Sequence, residues 1–367
     1  MALKGLTVKR FVFHSIAAAV FALLSFTCSF AAIGRISALS GAVYLKAKAA
    51  PKWKVAEKGA PVEAGDKVKT GSDGRASIEI EDGSRLSLGN DSELELTEFT
   101  LKKDKRSAVY SLSTGKLRAY VGKFTGKTDV KVKTPTSTSG IKGTDFIVLN
   151  QGDANVIFGE ESDVEVTGND TPLSAPLGKG GARGVIISPG HMTENTRNAA
   201  PIEPVAVEPG SSLEEVRAQL EAITDVERPV EWEKAGRLPD MLARWNINYG
   251  HYLADSRRFA DSLDVFQIAI DLSSIHGVRA EAHLERGTVL SRNMSEPKRA
   301  ISDYMSVIER YPVEPFLENA VFSAAVVNKE LGEKKSALEL FKRYLADYPR
   351  GSHRGTVDVL IRSLEAD

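Results

Sequence analysis

From about Arg35 to about Glu194, apolar residues recur at every second position. In "RASIEIEDG", Ala76, Ile78 and Ile80 fall on one side, with Ser77, Glu79 and Glu81 on the other. "SELELT" sets Leu94 and Leu96 against Glu93 and Glu95, and "KLRAYVG" and "DVKVKTP" repeat the pattern with Lys and Arg outside. "ANVIFG" and "SDVEVTG" read as further strands of this kind. Successive side chains of a strand point to opposite faces, so the alternation predicts half-buried sheets. Turn formers divide the strands: Asp73-Gly74, Asp82-Gly83, Asn90-Asp91 and Thr114-Gly115. A spacing of roughly eight to twelve residues marks an all-β domain. The pattern fits a sandwich, a barrel or a solenoid.

The pattern changes at residue 195. "NTRNAAPIEPVAVEPG" (195–210) has three prolines and no amphipathic period. Proline fixes φ and removes a donor, so this stretch predicts an extended linker. "SSLEEVRAQLEAI" opens a connecting helical region (211–237), with Ser212 and Glu215 in capping-box spacing. After Leu238 the apolar period is helical, and it repeats. Leu263, Ile301 and Leu338 fall in register, as do Phe266, Tyr304 and Phe341, and Ile270, Ile308 and Leu345. The steps are 38 and then 37 residues. A fixed period of this size predicts stacked helical hairpins, none able to bury its face alone. Three pairs fit within 238–367, and "GTVDVLIRSLEAD" closes them as a cap helix. The expected fold class is therefore multidomain β + α, an all-β domain over 34–194 followed by an α-helical solenoid.

Composition adds limits. The chain has 367 residues, 42% hydrophobic and 26% charged, with a formal charge of -1. Nothing in that balance suggests nucleic acid. Lys4, Lys9 and Arg10 precede the uncharged run "FVFHSIAAAVFALLSFTCSFAA", which Ser29-Phe30-Ala31 closes with small residues. That is the layout of a secretory signal spanning 1–31, cleaved before Ala32. The run is also about as long as a bilayer span, which makes an uncleaved membrane anchor the alternative. The single cysteine, Cys28, lies inside it, so a cleaved chain has no thiol and no disulfide.

Candidate chemistry is sparse. "GKFTGKTD" (Gly122 to Asp129) puts three residues where a P-loop needs four, and a strand pattern follows instead of a helix. "LGKGGARG" (Leu177 to Gly184) lacks dinucleotide spacing and reads as a loop. The hydroxyl-rich "KTPTSTSGIKGTDFIV" (Lys133 to Val148) has no histidine nearby in sequence, and no two histidines stand at helical metal-ligand spacing. No catalytic residue, metal ligand or cofactor site is expected, and the chain is read as a non-enzyme. Charge is more informative. Lys102 to Lys142 holds eleven Lys and Arg against Asp104 and Asp129, while Ser77 to Glu98 holds seven acids against Arg85. This predicts either a basic face for an anionic envelope polymer or two solvent faces of opposite charge meeting across strands.

The strand-rich half resembles the FecR protein domain. The resemblance rests on "GDKVKTGSDGRASIEIEDGSRLSLGNDSELELTEF", "LSTGKLRAYV", "VKTPTSTSGIKGTDFIV" and "GVIISPGHMT", in the family's order. It implies a β-rich, partly solenoid-like periplasmic domain that binds or senses. Thr134, Pro135, Gly143, Thr144 and Asp145 match the family's crossing into its next strand and are expected to be structural. Gly143 is expected to hold a backbone conformation denied to other residues. The namesake regulators carry a cytoplasmic sigma-factor segment, whereas ten residues precede the apolar run here.

The helical half resembles tetratricopeptide repeats. Gly250, Gly287 and Ala325 occupy the small position of the first helices, and Ser262, Ala300 and Ala337 that of the second. The resemblance implies a groove for a protein partner lined by Arg244, His251, Glu281, Thr288, Ser291, Asn319 and Lys329. The expected function is an exported, non-enzymatic scaffold of the bacterial envelope. A signal-sensing regulator anchored in the inner membrane is the alternative.

Overall fold

The computed structural model describes residues 32–141, 143–169 and 184–366. The expected signal or anchor segment 1–31 with Cys28, Lys142, and all of "LGKGGARG" except Gly184 lie outside the described residues.

Alternating sequence yields seventeen strands among the described residues. In chain order the first are β1 (Gly34–Ser40), β2 (Val43–Lys46), β3 (Lys54–Val55), β4 (Pro61–Val62), β5 (Lys67–Thr70) and β6 (Arg75–Ile80). Then come β7 (Arg85–Leu88), β8 (Glu93–Leu101), β9 (Lys105–Tyr120), β10 (Lys127–Lys133), β11 (Ser137–Ile141) and β12 (Asp145–Gln151). The last are β13 (Ala154–Glu161), β14 (Val164–Gly168), β15 (Gly184–Ile187), β16 (His191–Asn195) and β17 (Val205–Ala206).

They form two sheets. One runs β4-β1-β6-β7-β9-β12-β13-β16-β17. The other runs β3-β2-β5-β8-β9-β10-β11-β14-β15, with β9 and β10 its one parallel pair. Ile36, Ile78, Leu86 and Leu88 of the first sheet meet Val68, Leu94, Tyr110 and Leu112 of the second in one core. The fold is thus a sandwich. From β5 onward each later strand adds further along the same direction in its sheet, so the sandwich is also a flattened winding, as the family resemblance implies.

β9 belongs to both sheets. Residues up to Thr114 pair with β8, and Gly115 to Tyr120 pair with β12. Thr114-Gly115 was expected to be a turn between strands; it is instead the point where one strand changes sheet. Gly115 has φ +101, and a Cβ there would lie 2.2 Å from Ser92 Oγ, so no other residue fits without displacing Ser92.

The helices are α1 (Ser212–Thr224), α2 (Trp232–Gly236), α3 (Leu238–Asp255), α4 (Phe259–Leu272) and α5 (His276–Arg292). They continue as α6 (Pro297–Arg310), α7 (Phe316–Glu330), α8 (Lys334–Asp347) and α9 (Arg354–Ala366). The α1 cap sits one residue earlier than the sequence suggests: Glu214 N–H donates to Ser211 Oγ at 3.2 Å, and Gly210 N–H donates to Glu214 Oε2 at 2.7 Å. The hairpins α3/α4, α5/α6 and α7/α8 close tightly on small residues. A Cβ on Gly250 would lie 2.6 Å from the Phe266 ring, and one on Gly287 2.7 Å from that of Tyr304. Phe266, Tyr304 and Phe341, in register in the sequence, are all buried.

The two halves share a core. Phe146, Val148 and Ile157 face the sandwich interior, while Ile147, Leu149, Val156 and Phe158 face the helices. There they meet Leu213, Val216, Leu220 and Ile223 of α1 together with residues of α3 and α4. "ANVIFG", expected to be half-buried, is therefore covered on both faces. The stretch 195–210, expected to be an extended linker, differs too. Val205 pairs with Met192, and Ile202, Val205 and Val207 pack against the helical core. The apolar residues between its prolines have a surface to bury against, which period alone did not reveal.

Candidate functional site

The outer face of the first sheet carries a cleft. Outward positions line up across strands in two rungs. Ala38 of β1, Ser77, Ser87 and Arg118 form one, and Arg35, Glu79, Arg85, Tyr120 and Asp145 form the other. α1 covers one part of this face, with Ile223 against Gly89. Where α1 ends, Thr224, Asp225, Val226 and Glu227 wall a cleft of about 510 Å³ over these rungs. The wall is fixed in place: Arg75 Nη1 donates to the Asp225 and Arg228 carbonyls at 2.5 and 2.7 Å, and its guanidinium lies over Trp232.

Charge inside the cleft is partly committed. Arg118 grips Asp145 through Nε and Nη2, the shortest contact being 2.6 Å. The Asp145 hydrogen bond raises the Arg118 pKa further above its ordinary value. Glu79 is taken by Arg35 at 2.7 Å, outside the cleft, and Asp225 by Arg228 at 3.1 Å. Arg85 and Lys58 make no ion pair among the described residues, and the Arg118 Nη1 has no hydrogen bond. The hydroxyls of Ser77 and Ser87, on residues only 9% and 8% exposed, have no side-chain partner among the described residues. The cleft can offer hydroxyls, guanidinium N–H groups and the exposed Tyr120 ring.

Sequence reasoning did not find this cleft, because its residues come from five strands joined only by topology. One signal was present: serine, rather than Lys or Glu, at the outward positions 77 and 87.

The residues expected to be structural fall in two places. Thr134-Pro135 is the turn of the β10–β11 hairpin, closed by Ser137 N–H donating to Thr134 Oγ1 at 3.0 Å. It is not part of the crossing. Gly143-Thr144 makes the crossing between sheets, with Gly143 at φ +112 and the Thr144 carbonyl accepting from Val121 N–H at 2.8 Å. Asp145 begins β12 and lines the cleft.

The basic segment does not act as one surface. Arg106 is buried, donating to Asp82 Oδ2 at 3.2 Å and the Gly122 carbonyl at 2.8 Å. Lys116 is buried against Asn90, and burial lowers its pKa. Lys102, Lys103, Lys105, Lys123 and Lys127 stay exposed, and the β9–β10 register sets Lys127 beside Lys105. Two acids of β8, Glu93 and Glu95, stand opposite lysines of β5 instead, with Lys67 bound to Glu95 at 3.1 Å.

On the repeats, the first helices α3, α5 and α7 lie side by side. Arg244 meets Glu281 at 2.5 Å, and His251 lies 3.9 Å from Glu285. Burial raises the Glu285 pKa, with His251 opposing. Thr288 Oγ1 donates to its own helix at the Leu284 carbonyl, and Ser291 turns to Tyr304 of the paired helix at 3.1 Å. Asn319 and Lys329 are partly exposed on α7. Sequence reasoning missed the stacked ladder of Trp245, Tyr249 and Tyr252 on α3, with centroids 4.9 and 6.0 Å apart. Their i, i+4, i+7 spacing was its readable signal.

Among the described residues no helix is long and apolar enough to cross a membrane, and no three acidic, His or Cys side chains are grouped to hold a metal ion. The molecule is a two-sheet sandwich fused to a paired-helix repeat array. Residues 66–165 match the family model described as FecR protein. No curated protein matches the chain. Among solved structures, a candidate anti-sigma factor from Parabacteroides distasonis is similar at 14% identity and a TM-score of 0.32. That match covers 42% of this chain, and the chain spans 64% of that protein's length. The C-terminal TPR-containing domain of a candidate FK506-binding protein from Plasmodium falciparum is similar at 13% identity and TM-score 0.30, covering 35% of this chain and 93% of that one. The TPR2B domain of yeast Sti1, in complex with pHsp70, shows 21% identity and TM-score 0.29, covering 34% and 98%.

Proposed function

We propose that the chain is an exported, non-enzymatic binding protein of the bacterial envelope. Its sheet half contacts an envelope component, and the first-helix face of its repeats holds a protein partner. The FecR domain supports envelope signalling or regulation as the setting. The single observation that carries the binding role is the α3–α5 face, where Arg244 is ion-paired with Glu281 and His251 lies beside Glu285 on adjacent first helices. Such side chains are available to a partner without unfolding anything. Lys329 continues this polar face on α7.

Because the two halves share a core, the test uses the whole chain. Wild type and an Arg244→Glu/Lys329→Glu variant are immobilised and exposed to envelope extract at low salt. A protein held by wild type and released by the variant supports the reading; identical bound sets defeat it. The exposed lysines between 102 and 133 add a second check. Retention on isolated cell wall that falls between 50 and about 300 mM salt supports an anionic polymer contact.

The FecR domain equally favours a second reading, a membrane-anchored sensing regulator. The mass of the protein recovered from cells separates the two. A start at Ala32 fits the exported form, and an intact Met1 fits the anchored one.

A further inference from the structure

The cleft on the first sheet deepens the reading of the sheet half as the part that contacts the envelope, and it rests on that reading. Its floor strands β6, β7, β9 and β12 are each hydrogen-bonded on both sides. Along these four strands no backbone edge is open to an extended peptide, the usual way a sheet recognises one; the bordering strand β1 is paired on its outer side only as far as Ile36. What the floor offers is side chains. Ser77 and Ser87 sit opposite each other with unpartnered hydroxyls, each more than nine-tenths buried. Beside Ser87 lies Arg118, whose Nη1 is free while Asp145 locks the rest of its guanidinium. Arg85 stands on the neighbouring rung, exposed and without an ion pair among the described residues, next to Tyr120, a residue 43% exposed. Lys58 lines the same space. A volume of about 510 Å³ lies within the ~300–1,000 Å³ typical of small-ligand sites, but the polar lining is unlike the apolar walls of most of them.

We propose that this cleft binds a saccharide carrying a carboxylate. The carboxylate meets Arg85 and the free Nη1 of Arg118, which present the N–H geometry that carboxylates accept. The sugar hydroxyls exchange hydrogen bonds with Ser77 and Ser87, and the C–H face of a ring lies on Tyr120, an amphipathic platform. The roof residues Thr224 to Glu227 close the site, so the ligand touches the end of α1, which packs on both the sheet and α3.

The test titrates the full purified chain with digalacturonic acid, with the neutral disaccharide cellobiose and an acetylated tetra-aspartate peptide as parallel arms. The expected result is saturable binding of digalacturonate, several-fold weaker for cellobiose and absent for the peptide. Arg85→Ala, at an exposed unpaired position, weakens digalacturonate binding about tenfold, the loss of one charge-assisted contact. Tyr120→Ala weakens both sugars. No saccharide binding at millimolar concentration overturns the proposal. So does binding that Arg85→Ala leaves unchanged, and so does peptide binding as tight as that of the sugar. Salt-sensitive retention of the whole chain on isolated cell wall is read separately, so failure of the cleft is distinguishable from failure of the reading that the sheet half contacts the envelope.

Discussion

Glu194 shows how one side chain records its surroundings. It is fully buried at the end of β16, where burial raises its pKa to about 8 and the Asn246 amide, donating at 3.1 Å, opposes the shift. Its Oε1 and the Asn246 Oδ1 are both buried without partners, as expected if a proton on the acid is the missing donor between them. In the unfolded chain the group titrates near ~4.3. The folded state therefore holds the proton more tightly, and its stabilising contribution is complete below that value and is lost as pH rises through about 8. Glu194→Gln, with an amide N–H in place of that proton, should flatten the fall in melting temperature between pH 5 and 8.5 and make the variant the more stable form at the upper end. Glu160 and Asp264, raised by burial to about 7 and about 6, leave a shallower slope in the same direction. At Gly143 the constraint is backbone alone, since a Cβ would meet nothing closer than 3.7 Å. Gly143→Ala should therefore cost roughly 1–2 kcal/mol through its φ of +112. Denaturant unfolding measures it, and an unchanged midpoint would show that the strand crossing relaxes freely.

Among the elements, α1 is the one whose placement decides most. A Cβ on Gly89 would lie 2.6 Å from Ile223 Cγ2, so the helix rests directly on the strand-end backbone. Gly89→Ala should destabilise by about 1–3 kcal/mol, as overpacking does. Adding Ile223→Ala should cost less than the sum of the two single changes, because the clash is removed with the methyl. Strict additivity in urea melts would mean the helix is not seated there. Element type was legible wherever period was strong. Ala76, Ile78 and Ile80, or Phe266, Tyr304 and Phe341, reach the interior as their spacing demands. What failed were places where two environments meet. Thr114-Gly115 carries turn residues because β9 bends between sheets, and "ANVIFG" alternates although both its faces are covered. The cleft was illegible for a related reason: its rungs join residues from Arg35 to Asp145, and only the strand order makes them neighbours.

At the scale of the molecule, the halves are not beads on a string. Ile147, Leu149, Val156 and Phe158 pack into the helical core. Beside them, a chain of polar contacts runs from Thr196 through Asp271, Gln267 and Arg286 to Asp303 and His283. Residues 33–366 should thus melt in a single calorimetric transition, whereas two separated transitions would point to independent halves. Truncation after Asn195 should leave an aggregating fragment, since the outer face of β12 and β13 would lie bare. The want of slack at residues 195–210 has a further consequence. On the proposed two-contact reading, a partner gripped by the repeats would be held at a set offset and angle from whatever occupies the sheet, as by a ruler rather than a leash. Two targets are engaged at once only if they already stand that far apart, and mismatched spacing forfeits all gain from having two grips.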